Sequence, residues 1–276
     1  MSKIGAADVA RLRKTTGAGM MDCKKALEES GGDFDKAIEI IRKKGQALAS
    51  KRADREAGEG VVLAGTSSDN SFGVVVTLNC ETDFVAKNED FTAFARTILD
   101  KAIESDIKTL SELKTLTIDG RSVEERVVEQ VGVIGEKVEL SSFERLDAPH
   151  VQSYIHPGNR LATIVGFSVA GVDEQVYKDV AMQIAAMSPV AVDEKDVPAS
   201  VLEQEREIGR EQARREGKPE QIIDKIAEGK LRKFFKENTL LNQDFVKDNK
   251  LTIMEYLRNS DDNLTVTAFI RFSLTV

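Results

Sequence analysis

Residues 72–87 read FGVVVTLNCETDFVAK and join an apolar strand to the start of a helix. The β-branched run in 72–80 is typical of a buried strand. A second apolar run, GVVLA at 60–64, precedes it, and the polar segment TSSDN at 66–70 is typical of a hairpin turn. Apolar residues at helical spacing follow at Phe91, Phe94, Ala95, Ile98, Leu99 and Ala102. This stretch predicts a β-hairpin followed by an amphipathic helix, which is an α+β arrangement.

The same order of elements recurs in the second half of the chain. Two apolar runs, 151–155 and LATIVGFSV at 161–169, flank the turn sequence HPGN at 156–159. A helical apolar stripe follows at residues 176–187. Sequence identity with residues 60–102 is weak, so the order of elements carries the comparison. We therefore predict two related α+β subdomains, each built on an antiparallel sheet.

The first 55 residues carry helical patterns and a net charge of +5, from 13 basic and 8 acidic side chains. Three short helices are predicted, with Gly31-Gly32 ending the second. We expect the third helix to stop at Gly45 and residues 46–59 to form a linker. Because so short a segment buries only a small core, it is predicted to be a compact three-helix module.

A charged insertion interrupts the second subdomain at about residues 196–236. It is predicted to form two helices separated at 217–219 (GKP), and Ile208 is the one large apolar residue between Leu202 and Gly217. A helix that polar is not expected in a core, so we predict an antiparallel helical hairpin that projects from the body. A charged surface helix folded onto the domain is the alternative. The predicted domains are residues 1–55, 56–140 and 141–276, the last with the hairpin inserted.

Composition and charge exclude several classes of function. The 276 residues carry 47 acidic and 39 basic side chains, and the net charge of −8 disfavours nonspecific binding to nucleic acid or to an anionic membrane. No apolar run approaches the roughly 20 residues of a membrane-spanning helix, and the N-terminal sequence lacks a signal or transit pattern. Two cysteines, Cys23 and Cys80, are too few for a disulfide framework. We predict a cytoplasmic protein.

Residues that could support catalysis or ligand binding are sparse. The two histidines, His150 and His156, have no partner at metal-ligand spacing. Residues 17–19 (GAG) lack the preceding strand of a dinucleotide loop, and Gly217-Lys218 lacks the glycine that a phosphate loop needs five positions earlier. The sequence therefore predicts no catalytic residue, no metal and no cofactor, and we do not expect an enzyme.

Two segments carry apolar side chains whose orientation the spacing leaves open. Phe84 stands beside Asp83 between a strand and a helix, where it can pack inward or extend toward a partner. Because aromatic residues are more often buried than exposed, spacing alone favours inward packing. Met20 and Met21 are adjacent on a helix, so at least one is expected to offer an exposed contact surface, unless both fill the small core.

The motifs TGAGMMDCKKAL at 16–27 and CETDFVA at 80–86 closely resemble those of the bacterial elongation factor Ts family. The remaining motifs follow in a similar order, with IGE at 134–136, the turn at 156–159, the charged hairpin and FIRF at 269–272. The resemblance covers essentially the whole chain. It implies a ubiquitin-associated-like N-terminal module, two related subdomains and an inserted helical hairpin. Family members often continue into a C-terminal helical module, whose contacts are not expected for this chain.

The resemblance implies a guanine-nucleotide exchange factor that binds GDP-loaded elongation factor Tu and displaces the elements that hold magnesium and phosphate. By motif match, Asp83 and Phe84 enter the partner's GTPase domain from a loop that includes Thr82 and Val85. The other contact positions implied are Met20, Met21, Ile134 and His156. The resemblance thus predicts an exposed Phe84, in contrast to the spacing.

The partner implied by the resemblance is elongation factor Tu, with no direct contact to nucleic acid or membrane. Self-association through the helical hairpin stays open. The residues alone, without the resemblance, also leave two other functions open. One is a binding module without exchange activity, such as a ubiquitin-like or nascent-polypeptide adaptor, and the other is an enzyme of unrecognised type.

Overall fold

The computed structural model describes residues 4–274, which form α-helices and antiparallel β-sheets. The helices are α1 (Ala6–Thr16), α2 (Met20–Glu29), α3 (Phe34–Arg52), α4 (Asp83–Ala86), α5 (Glu89–Glu104), α6 (Leu110–Thr115), α7 (Val123–Ile134), α8 (Glu174–Met187), α9 (Ala199–Arg215), α10 (Glu220–Asn238) and α11 (Ile253–Arg258). The strands are β1 (Glu59–Thr66), β2 (Phe72–Cys80), β3 (Thr117–Ile118), β4 (Arg121–Ser122), β5 (Val138–Asp147), β6 (His150–Ile155), β7 (Leu161–Phe167), β8 (Asp244–Phe245), β9 (Asp248–Thr252) and β10 (Val266–Ser273). This confirms the predicted α+β class.

The first sheet has the strand order β1-β2-β5, and β2 runs antiparallel to both neighbours. Every residue of β2 is buried, because α5 covers one face of the sheet and the second sheet covers the other. The apolar stripe of α5, including Phe91 and Ile98, lies in this core as the sequence predicted. We call residues 59–147 the first sheet unit.

The predicted domain boundary between residues 140 and 141 falls inside β5. This strand pairs with β2 over Val138–Asp147, so the first sheet unit ends at residue 147. The apolar-polar alternation of β5 breaks at Ser141-Ser142, where the pairing with β2 shifts register, so the pattern gave no signal that the strand continues past 140.

The second sheet has the same topology, with the strand order β10-β7-β6 and with α8 packed against β6 and β7. In both sheets a hairpin is followed by a helix, and a later strand returns antiparallel to the second strand of the hairpin. The described part of β10 is shorter than the predicted strand 264–276, whose positions 275 and 276 lie outside the described residues. We call residues 150–274 the second sheet unit.

The sheet faces that carry no helix pack against each other. Val62, Val75, Val151 and Ile164 belong to a buried apolar cluster between them. The backbone N of Val62 also donates to the carbonyl oxygen of Asn159 at 2.7 Å. The turn after β6 therefore lies directly beside β1.

The N-terminal helical module (α1–α3) has a small core in which Leu12, Cys23 and Leu27 are buried. The predicted end of α3 at Gly45 is wrong, because the helix continues to Arg52 and includes residues 46–52 of the predicted linker. Gly45 lies where α3 crosses α7, and a Cβ on Gly132 of α7 would come within 2.9 Å of the Gly45 Cα. Glycine here permits close packing of two helices and does not end the helix.

Helices α9 and α10 lie side by side in opposite directions. Three ion pairs in this order along the two helices define that orientation: Arg206–Glu228, Arg210–Asp224 and Arg214–Glu220. Small residues are buried where the helices meet, namely Gly209 and Ala213 of α9 and Ala227 of α10. Within the described residues, no helix combines the length and the apolar character needed to cross a membrane.

Candidate partner-binding surface

The segment after β2, which we call the 81–87 loop, turns sharply from extended to helical backbone. Thr82 is extended, with φ −125° and ψ 153°, and its Oγ1 accepts a hydrogen bond from the backbone N of Val85 at 3.5 Å. This N-cap satisfies a backbone donor that a helix leaves free at its start. The single helical turn α4 therefore begins at Asp83.

Phe84 projects from this turn with 84% of its surface exposed. Its neighbours Val85 and Ala86 pack against the core of the first sheet unit. Successive residues of a helical turn point about 100° apart, so the anchoring of Val85 directs Phe84 into solvent. The inward packing favoured by spacing alone is wrong, and the exposure implied by the family resemblance is observed.

Asp83 precedes Phe84 and forms an ion pair with Lys87, with 2.6 Å between Oδ2 and Nζ. The hydrogen bond from Lys87 holds the pKa of Asp83 below its usual value. Both charged side chains are exposed, so the pair contributes little to folding. At neutral pH the loop therefore presents an ionised carboxylate directly beside an exposed aromatic ring.

Glu81, to which the sequence assigned no role, holds the start of the loop. Its carboxylate accepts hydrogen bonds from Lys137 N at 2.6 Å, from Arg52 at 2.6 Å and from Arg55 at 3.1 Å. The Lys137 hydrogen bond, together with the two arginines, lowers the pKa of Glu81 to about 2 against the opposing effect of burial. Its partners lie 26 to 56 residues away along the chain, so spacing could not reveal them.

Glu136, part of the IGE motif, is a second carboxylate to which the sequence assigned no role. It accepts hydrogen bonds from the backbone N of Thr82 at 3.0 Å and from Thr82 Oγ1 at 2.8 Å. Thr82 therefore donates to Glu136 while its Oγ1 accepts from Val85. The residue immediately before Asp83 is fixed through both its backbone and its side chain.

The turn at His156 lies at the same end of the molecule as the 81–87 loop. Arg160 of this turn forms an ion pair with Glu59, and Glu59 lies opposite Cys80 in the register of β1 and β2. Cys80 is the residue directly before the loop. His156 itself is exposed.

Ile134 ends α7 and is half-buried against the core of the first sheet unit. Gly135 follows with a left-handed backbone, and Glu136 then contacts Thr82, so Ile134 lies close to the 81–87 loop. The structure thus brings six of the predicted contact residues to one end of the molecule: Thr82, Asp83, Phe84, Val85, Ile134 and His156.

Met20 and Met21 begin α2 and are 60% and 63% exposed, so neither fills the core of the helical module. Gly17, just before them, lies against Val133 of α7, whose Cγ2 would be 3.4 Å from a Cβ at Gly17. Val133 is itself exposed, which the sequence did not predict. The end of α7 therefore joins both regions, because Val133 meets the helical module and Ile134 leads to the 81–87 loop.

His150 and the two cysteines lie in the interior of the protein. His150 stacks on Tyr177 with 3.8 Å between ring centroids, and burial lowers its pKa. Cys23 and Cys80 are buried free thiols, and burial together with the charge of Glu136 raises the pKa of Cys80 to about 12. Within residues 4–274, no group of histidine, cysteine, aspartate and glutamate side chains is arranged to hold a metal ion.

A braced turn that presents an aromatic ring to solvent, with exposed methionines on the adjoining module, is characteristic of a surface that binds another protein. The fold is that of an α+β protein, and the surface has the features of a protein-interaction site. The family model described as Elongation factor TS matches residues 81–275.

Full-length relatives agree with this match. Elongation factor Ts of Azobacteroides pseudotrichonymphae genomovar. CFP2 is 52% identical over 269 residues, which cover 98% of this chain and 97% of the relative. Elongation factor Ts of Christiangramia forsetii is 51% identical over 276 residues, covering 99% of this chain and 100% of the relative. The chain belongs to the elongation factor Ts family and is a translation elongation factor.

Proposed function

We propose that this protein is a guanine-nucleotide exchange factor for elongation factor Tu, the GTPase that delivers aminoacyl-tRNA to the ribosome. The observation that carries the proposal is the exposed Phe84 on a turn whose preceding residues are held by hydrogen bonds, Glu81 by Lys137 N and Thr82 by Glu136. An aromatic ring held in water gains favourable burial only when a partner covers it. Family membership supports the identity of that partner.

Exchange of this kind needs no reactive group, so the protein need not be an enzyme. A GTPase holds GDP through backbone amides around the phosphates and through a bound magnesium ion. A protein that prefers the form in which these elements are displaced weakens nucleotide binding, and nucleotide weakens its binding by the same factor. In the proposed mechanism Phe84 inserts as a wedge beside these elements, and Asp83 fixes its position through polar contacts.

The remaining predicted contacts would contribute binding energy over a broader surface. Met20 and Met21 offer adaptable apolar contact from the helical module, and Ile134 and His156 lie near the 81–87 loop. In interfaces a few central aromatic residues dominate, each contributing about 2 kcal/mol or more on truncation to alanine. We assign that role to Phe84.

Finer features of the fold fit the same function. We propose that α1–α3 form a ubiquitin-associated-like module, that the two sheet units are related, and that α9 and α10 form a hairpin projecting from the second unit. The protein would act in the cytoplasm without direct contact to nucleic acid or membrane. Self-association through the hairpin, where Ile208 and Ile222 are exposed, is tested by sedimentation velocity, because association raises the sedimentation coefficient with concentration.

Release of a fluorescent GDP from elongation factor Tu tests the proposed function. The labelled complex is mixed with this protein and excess unlabelled GDP, and the fluorescence is followed in time. Exchange activity predicts release that accelerates with the concentration of the protein. Binding without acceleration would support the adaptor function instead, for which the exposed Met20 and Met21 are also suited. If the protein neither binds elongation factor Tu nor accelerates GDP release, the proposed exchange function is contradicted.

A further inference from the structure

Two carboxylates outside the predicted contact set fix the two residues that precede the Asp83–Phe84 turn. Glu81 is held through its own side chain, and Thr82 is held by Glu136. We propose that Glu81 and Glu136 are positioning residues for Phe84, and that Glu81 couples the orientation of the turn to the docking of the N-terminal helical module. The effect on exchange rests on the function proposed above. The effect on the turn itself does not depend on any partner.

Glu81 is held by three donors from two separate elements. Arg52 is the last residue of α3 and Arg55 lies three residues beyond it, while the Lys137 backbone N lies directly before β5. Lys137 Nζ also donates to the carbonyl oxygen of Ala53 at 3.0 Å, so the two elements contact each other directly. The Glu81 side chain is only 14% exposed, which protects these charge-assisted hydrogen bonds from solvent screening.

Glu136 acts on the next residue from the other side. Its two oxygens accept separately from the backbone N and Oγ1 of Thr82, which fixes the peptide plane and the side-chain rotamer together. Thr82 is the N-cap of α4, so its orientation sets the direction in which the turn begins. Since Phe84 is the second residue of that turn and is 84% exposed, the cap and the anchored Val85 together set the direction in which its side chain leaves the backbone.

We call the hydrogen bonds from Arg52, Arg55 and Lys137 to Glu81 the clamp. The clamp connects both exposed regions of the proposed surface. The helical module carries Met20 and Met21, and the 81–87 loop carries Phe84. Glu81 is the first residue of that loop and bonds to Arg52 at the end of α3. A partner that contacts both regions would meet them at a fixed separation. Holding contact groups in place before binding avoids the ordering cost that flexible groups impose.

The first test measures the mobility of the turn without a partner. The chain has no tryptophan, so Phe84→Trp introduces a single indole whose time-resolved anisotropy reports motion at this position. Glu81→Gln and Glu136→Gln are added separately in this background, because each keeps the side-chain shape and removes the charge. Glu144→Gln, an exposed position on β5, is the matched control. We expect greater nanosecond motion of the indole in the first two variants than in Phe84→Trp alone. The control should show the same motion as Phe84→Trp alone.

The second test measures GDP release from elongation factor Tu with Phe84 in place. Glu81→Gln and Glu136→Gln should each lower the maximal rate by about tenfold, since misplacing a contact group by about 1 Å has large kinetic effects. The concentration for half-maximal release should change less. Arg52→Met removes the shorter of the two arginine contacts while keeping Glu81 and Arg55, and it should act in the same direction. Thermal unfolding confirms that each variant is folded.

Unchanged anisotropy in both carboxylate variants would overturn the positioning role. Wild-type maximal rates of GDP release in both variants would also overturn it. So would an effect confined to the concentration for half-maximal release. A wild-type protein that fails to accelerate GDP release would instead refute the proposed exchange function. The anisotropy result would still decide whether the carboxylates position the turn.

Discussion

Phe84 and Phe91 are expected to differ in their contribution to stability, because one lies on the proposed contact surface and the other lies in the core. Phe84 is 84% exposed, whereas Phe91, seven positions later, is 2% exposed in the core of the first sheet unit. Phe84→Ala should change the free energy of unfolding by less than about 0.5 kcal/mol. Phe91→Ala should lower it by about 3–5 kcal/mol through lost burial and a cavity. Urea unfolding measures both, and a loss above about 2 kcal/mol in Phe84→Ala would contradict the exposed position.

Glu81 makes stability depend on pH in a defined window. Its folded-state pKa of about 2 lies below the ordinary value of 4.5, so folding favours the ionised form. Its contribution is therefore present above pH 4.5, declines as the pH falls, and is absent below about 2. The difference in unfolding free energy between the wild type and Glu81→Gln should shrink over that window. A difference that stays constant from pH 7 to pH 2.5 would rule out this assignment.

Cys80 should be chemically inert although it adjoins the 81–87 loop. Burial raises its pKa to about 12, and the thiolate is the reactive form. At pH 8 we expect neither Cys80 nor the buried Cys23 to react with Ellman's reagent in the native protein, and both to react after unfolding in urea. Rapid reaction of one thiol in the native state would show that its surroundings open readily.

The crossing of α3 and α7 gives the sharpest prediction for an element. Gly132→Ala places a Cβ 2.9 Å from the Gly45 Cα, so the helices must separate. We expect a loss of about 1–3 kcal/mol in unfolding free energy despite the better helix propensity of alanine. Gly229→Ala in α10 is the control, since a Cβ there meets nothing within 4 Å and should stabilise by up to about 1 kcal/mol. Equal effects of the two substitutions in urea unfolding would contradict close packing at the crossing.

Elements set by local pattern were predictable, and those set by distant contacts were not. The hairpin ending at Cys80 and the apolar stripe of α5 follow from residue periodicity, and both are observed. The length of α3 was missed because the residue that explains Gly45 is Gly132, 87 positions later. The clamp on Glu81 was missed for the same reason. The exposure of Phe84 came from motif resemblance, because spacing alone favoured the opposite orientation.

For the whole molecule, uneven charge acquires a structural explanation. Residues 1–55 carry a net charge of +5, while residues 56–150, with 9 basic and 19 acidic side chains, carry −10. The helical module and the first sheet unit meet at an ion pair with 3.3 Å between Arg42 Nε and Glu129 Oε1. They also meet where two arginines form ion pairs with Glu81. The opposite charges of these segments therefore favour their docking, which the net charge of −8 does not reveal.

The central claim is that Phe84, held on a braced turn, drives nucleotide release from elongation factor Tu. The most direct measurement compares wild type and Phe84→Ala in the maximal rate of fluorescent GDP release. Val246→Ala, which truncates an exposed apolar residue between β8 and β9, serves as the matched control. Loss of about 2 kcal/mol predicts a fall of about 30-fold for Phe84→Ala and no change for the control. A wild-type rate in Phe84→Ala would contradict the claim.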